Sequence, residues 1–360
     1  MPQWFVDALA KNFEGGGVPR EYAFHVRVTN KSAKKKAVTL RFQFTDSCGK
    51  GYMAPPYWIF RNHGWWIVPA VKTDFDAAVG ATVTVTIDPH EVVQVANKPY
   101  VTPTVIHDEM ASLAEMSDTF SLREIGRTAE DRQLLVLETD PRDESIIVGA
   151  TMQPAEPAGR PVIAVAHWLL DGSALTRHLL DRCQFCFLPM PNPDGSFNGR
   201  SVTNAVGEVP MFSFAHVLRG EDAPLESRAV WAYCEQLRPT AYVEFHTHYQ
   251  SVRHHKLNPM WHGWFPENIQ GRVNRVDNAL LTLNSNWRVT EISPEVPLHD
   301  CGKFSNLTRH FHTMSYCYQI YALTEEATCA HAIQVVSTLA RALAGPEWEV
   351  ALPGPEVVAG

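Results

Sequence analysis

Three side chains able to hold a metal ion or move a proton follow apolar runs that read as strands. Glu156 comes after Ser145-Ile-Ile-Val-Gly-Ala150, inside the loop Thr151-Met-Gln-Pro-Ala-Glu-Pro-Ala-Gly159. His246 follows Ala241-Tyr-Val-Glu-Phe245, and Glu326 follows Tyr318-Gln-Ile-Tyr-Ala-Leu323. Sites in open α/β sheets form outside the carboxyl ends of strands, so three such ends can bring their side chains to one edge. A Glu and a His there are two-thirds of a His2Glu zinc set. A further carboxylate, Glu326, is the general base that such a site uses on metal-bound water. Each residue also has a plain structural use. Glu156 suits a helix first turn, His246 could be a satisfied core imidazole, and Glu326 beside Glu325 could be a solvated acidic turn.

The elements that must position these groups change character along the chain. Residues 20–98 alternate apolar and polar positions in Glu21–Asn30, Ala37–Asp46 and Ala81–Asp88, with turns at Asn30-Lys31, Asp46-Ser-Cys-Gly49 and Asp88-Pro-His90. Short alternating strands between turns predict an antiparallel β-sandwich, with the Trp-rich stretch Trp58–Trp66 in its core. Lys31–Lys36 reads as a solvated hairpin tip. Near Ala96–Pro103 the pattern changes. Helices are expected over Val105–Ser117, Val162–Leu180, Leu225–Leu237, Asn268–Leu283 and Ala332–Ala344. Strands are expected over Thr119–Ile125, Gln133–Thr139, Ile146–Ala150, Phe185–Pro189, Ala241–Phe245 and Tyr318–Leu323. The fold class is therefore α/β. A β-sandwich domain, 1–98, precedes a domain, 99–360, with a mixed, mostly parallel sheet and helices on both faces.

Composition narrows the function. The 360 residues are 45% hydrophobic and 19% charged with a net charge of −8, which supports a sizeable core and argues against nucleic-acid binding. No apolar run reaches the ~18 residues of a membrane span, and Met1–Gly17 has no signal-peptide core. The seven cysteines are scattered. The Cys183-x-x-Cys186 pair sits in an apolar run with no second pair, so buried reduced thiols and a cytoplasmic location are expected.

The order Gln153-Pro-Ala-Glu156, Asn192-Pro-Asp-Gly195, Glu244-Phe-His246-Thr-His248 and Leu323-Thr-Glu-Glu326 resembles the M14 zinc carboxypeptidase family. It looks most like the cytosolic carboxypeptidase (deglutamylase-type) branch, which carries a β-sandwich before the peptidase domain. Ala96-Asn-Lys-Pro-Tyr100, Ile125-Gly-Arg127 and Leu307-Thr-Arg309 extend the resemblance over residues 20–345. It implies one Zn2+ ion with Glu156 and His246 as ligands, completed by Gln153 or His248, and Glu326, or its neighbour Glu325, as general base and acid. Arg200, His248 and Arg309 would contact substrate, with His248 also a substitute ligand. The chain departs from the family at Gln153, where the family has its first His ligand. It departs again at Val202, Met211 and Phe212, where the family has an Arg and an Asn-Arg pair that grip a peptide C-terminus. A metal-dependent amide or peptide hydrolase with an atypical small substrate is one reading. A catalytically inactive relative that binds through its pocket or sandwich is the other.

Overall fold

The computed structural model describes residues 23–43, 54–76, 78–249, 255–283, 288–289, 291–294 and 297–345. Met1–Gly17, the turn Asp46–Gly49 and His254 lie outside them. The first strands are β1 (His25–Thr29), β2 (Lys36–Gln43), β3 (Trp58–Arg61), β4 (Gly64–Ile67), β5 (Thr73–Asp76), β6 (Gly80–Ile87) and β7 (Val92–Ala96). They form two antiparallel sheets, ordered β1-β7-β3-β4 and β2-β6-β5. Alternation does the work: Ala81, Val83, Val85 and Ile87 of β6 are buried while their neighbours face outward. These residues join Tyr57, Ile59, Val93 and Val95 in a core of their own. The Trp-rich stretch only partly fills that region. Trp58 is buried, but Trp66 on the edge strand β4 is 60% exposed.

After the junction come α1 (Pro103–Met116), β8 (Ser121–Arg127), β9 (Gln133–Glu138), β10 (Glu144–Ala150), α2 (Gly159–Leu169), α3 (Ala174–Arg182) and β11 (Cys183–Leu188). They are followed by α4 (Pro193–Phe197), α5 (Phe214–Leu218), α6 (Leu225–Leu237), β12 (Ala241–His248), β13 (Lys256–Asn258), α7 (Glu267–Leu281) and β14 (Arg288–Val289). The last elements are α8 (Pro297–Cys301), α9 (Lys303–Phe311), β15 (Met314–Tyr321) and α10 (Glu325–Ala344). Strands β8 to β15 form one sheet, ordered β14-β13-β15-β12-β10-β11-β9-β8. Its centre, β15-β12-β10-β11, is parallel, and the edges add antiparallel pairs. Successive side chains of β12 point to opposite faces. Tyr242 and Glu244 meet Lys303 of α9, whereas Phe245 packs on Tyr318, which meets His331 of α10. Helices therefore cover both faces, and a second core spans this sheet.

Three expected elements shift. The single helix over Val162–Leu180 is two, because Gly172 adopts φ +68° and Ser173 caps α3 by accepting from Thr176 N at 3.1 Å. β12 runs on to His248, so His246 lies within the strand and not beyond it. The final helix begins at Glu325, because the Thr324 hydroxyl accepts from Ala327 N. Among the described residues no helix is long and apolar enough to cross a membrane.

The packing of α10 on β15 makes stability depend on pH. Burial first, and His255 second with its ring centroid 3.8 Å away, hold the pKa of His331 down at about 4, below its ordinary 6.5. The unfolded chain binds this proton between those values and the folded chain does not. Stability therefore falls as pH drops through 6.5 towards 4. Urea midpoints measured across that window should decline less steeply in His331→Gln.

Candidate functional site

The site lies where the loop after β10 meets the end of β12. Gly149 lets the neighbouring strand close in, since a Cβ there would stand 2.7 Å from the Tyr242 hydroxyl. The chain then turns at Thr151, a β-branched residue at φ +55°, a conformation that persists only when surrounding contacts impose it. Those contacts come from several segments. Asn192 Nδ2 donates to Met152 O, Ala155 N to Ser201 O, and the Thr247 hydroxyl to Pro157 O. The buried Lys98 ammonium, from the junction with the sandwich, donates to Ala155 O at 2.5 Å.

Held this way, Glu156 is almost fully buried against two imidazoles. Its Oε2 lies 2.5 Å from His246 Nδ1 and its Oε1 lies 3.6 Å from His248 Nε2. Burial opposes ionisation of Glu156, yet His248, His246 and Lys98 together bring its pKa down to about 2. Burial likewise opposes protonation of His246, but Cys317 and Glu156 outweigh it and lift the pKa to about 10. His248 goes the other way: burial holds it down at about 3 despite Glu156. Within the triad burial works against charge on every member, and the Glu156–His246 contact is what favours the ionised carboxylate and the protonated imidazole.

A second buried pair backs the first. Glu244 contacts the Lys303 ammonium of α9 and accepts from the Tyr242 hydroxyl at 3.1 Å, and all three side chains are excluded from solvent. Glu244 Oε1 is 3.5 Å from His246 Nε2, a buried atom. Across the parallel register Glu244 faces Cys317, His246 faces Gln319 and His248 faces Tyr321. The Tyr321 hydroxyl donates to Gln319 Oε1 at 3.0 Å, and its ring stacks on His248.

Of the sequence-derived residues, the fold brings together Glu156, His246 and His248, with Gln153 on the same loop, where its carbonyl accepts from Glu156 N at 2.9 Å. The other three lie elsewhere. Glu326 is exposed in the first turn of α10, and the strand residue facing His246 is Gln319, an amide. Arg309 is exposed on α9 and paired with Asp300 at 3.1 Å. Arg200 is exposed in the segment after α4. The Asn192–Gly195 motif caps α4, its side chain accepting from Gly195 N. Asp194 beside it accepts from Thr128, Glu130 N and Arg132. Val202 and Met211 are buried, and Phe212 packs against the core.

Lys98, Glu244, Lys303 and Gln319 escaped the sequence reading. Gln319 had a signal, because Cys317, Gln319 and Tyr321 alternate with buried Tyr316, Tyr318 and Ile320. Lys98 and Lys303 had none, since their partners lie 57 and 59 residues away.

As placed here the donors engage one another and not a metal position. Two ligands of a tetrahedral zinc sit about 3.3 Å from each other when each is ~2.0–2.1 Å from the metal. His246 and Glu156 are instead in direct hydrogen-bond contact at 2.5 Å. Gln153 supplies a neutral amide, and among the described residues no group of three His, Cys, Asp or Glu side chains is arranged to hold a metal. The loop depends on internal cations. Lys98→Met, which removes a charged donor from Ala155 O and a counter-charge from Glu156, should destabilise the fold by about 1.5–3 kcal/mol, measured by urea unfolding.

Comparison with known proteins follows the same outline. The model of the family described as zinc carboxypeptidase, Peptidase M14, matches residues 106–207. A metallo-carboxypeptidase from Burkholderia cenocepacia superposes with a TM-score of 0.73 over 91% of each chain at 17% identity. A metallo-carboxypeptidase from Pseudomonas aeruginosa, in complex with (2-guanidinoethylmercapto)succinic acid, gives 0.73 over 90% of each chain at 15% identity. No curated protein matches the sequence. The chain has the metallo-carboxypeptidase fold, and within it residues 106–207 match the zinc carboxypeptidase family model.

Proposed function

We propose that this chain uses a carboxypeptidase fold to bind a peptide-like or other small ligand and does not hydrolyse it through a metal. The observation that carries this reading is Gln319 facing His246 across the strand pair. Hydrolysis by metal-bound water needs a group there that can take a proton and return it, and an amide cannot. Gln153 in place of an imidazole and the direct Glu156–His246 contact support the same reading. So do Val202, Met211 and Phe212, which offer no charge to a peptide carboxylate. The β-sandwich ahead of the peptidase domain supports a place beside the cytosolic-type branch, and the unpaired thiols Cys183, Cys186, Cys234 and Cys301 support a reducing, cytoplasmic setting.

One observation favours a second reading, a zinc hydrolase with a rearranged ligand set. Glu156 reaches both His246 and His248, so a carboxylate and two imidazoles do meet, with Glu326 left as the candidate base. Assays with acylated dipeptides in added zinc separate the two. The binding reading expects amino-acid release no faster than in buffer. Zinc-dependent release that disappears in Glu156→Gln would support the hydrolase.

A further inference from the structure

A cavity lies on the sandwich side of the 151–159 loop, walled by β1, the junction, the loop, α2 and the segment after α4. Its lining includes none of Gln153, Glu156, His246 or His248, so it is separate from the buried centre. Most of the wall is apolar or aromatic: Tyr100 and Val101 from the junction, Pro154 and Pro157 from the loop, Met190, and Tyr249 beyond β12. Two guanidinium groups enter this wall, Arg160 from the first turn of α2 and Arg200. Arg160 is anchored by Glu109 at 2.9 Å, with Glu325 at 3.9 Å. The Arg200 guanidinium is near enough to Glu130 to help lower that carboxyl's pKa, and it is exposed. Glu109 and Glu325 compensate Arg160, so the positive charge offered against this greasy wall is chiefly that of Arg200.

We propose that this junction cavity binds a small organic carboxylate with an apolar body, its charge held by Arg200 and Arg160 and its alkyl part against Tyr100, Val101 and Pro157. A guanidinium holds a carboxylate through charge-assisted, often bidentate hydrogen bonds, and proline and tyrosine faces exclude water from the rest. The proposal stands independently of the metal question, because its residues lie outside the buried centre. An occupant would also touch the loop that carries Glu156, through Pro154 and Pro157, and so reach the buried centre without entering it.

The test uses the full chain and isothermal titration with butyrate and propionate, each compared with its neutral amide at matched ionic strength and in the presence of EDTA. One-to-one binding of the carboxylate, at least about tenfold tighter than the amide, is expected to persist in EDTA. Arg200→Gln should weaken it about tenfold or more without changing the thermal midpoint. Val101→Trp, which fills the cavity, should abolish it. Equal affinity for acid and amide, no binding of either carboxylate, or undiminished binding in Arg200→Gln would each overturn the proposal.

Discussion

Lys303→Met is expected to lower the unfolding free energy by about 3–5 kcal/mol, the usual result of stripping one partner from a buried ion pair. Lys303 is wholly buried, touches Glu244 and donates to the Tyr242 hydroxyl at 3.1 Å. Its ammonium also lies 4.6 Å from the Tyr242 ring centroid. Methionine keeps most of the volume but leaves the Glu244 carboxylate without its counter-charge in a site that water does not reach. The double variant Glu244→Gln, Lys303→Met removes both charges and should recover most of the loss, because the penalty belongs to the unpaired charge and not to the pair. Urea unfolding of the two singles and the double measures the coupling. If the double is as unstable as the sum of the singles, the pair is not the unit described above.

The second large effect is a gain. Gln153→His together with Gln319→Glu should raise zinc affinity at least about 100-fold over wild type, since loss of outer contacts alone changes metal affinity by about 10–100-fold. The first change supplies an imidazole three residues before Glu156, on a loop already held by Lys98, Asn192 and Thr247. The second places a carboxylate in register with His246. The new ligand set has to compete with the existing Glu156–His246 hydrogen bond, so the single change Gln319→Glu should do little. Zinc titration of the double variant and of the two single changes, Gln153→His and Gln319→Glu, ranks them. Equal affinity in all three would mean that position 153 does not limit metal binding.

Much of this was legible in the sequence. The continuous apolar runs before Glu156 and up to His246 marked buried parallel strands, and the alternation through β6 marked the sandwich. His246 and His248 share a face because β12 does not end at Phe245, which their spacing of two allowed. The break in the Val162–Leu180 helix was visible as Asp171-Gly172-Ser173, but the apolar spacing on both sides hid it. Glu326 was drawn to the site by its place after a strand, whereas Thr324 caps a helix there and Glu326 is left exposed in its first turn. Lys98 and Lys303 lay beyond sequence reasoning. A buried lysine is readable only once its carboxylate or carbonyl partner is known, and those partners are set by the tertiary fold.

The central claim is that the buried centre neutralises its own carboxylates with His246, Lys98 and Lys303 and does so without a metal. Zinc content after dialysis against micromolar zinc, measured by elemental mass spectrometry on the wild-type chain, tests it most directly. The account predicts far less than one zinc per chain in wild type and close to one in Gln153→His, Gln319→Glu. One tightly held zinc per wild-type chain, lost in Glu156→Gln, would contradict it.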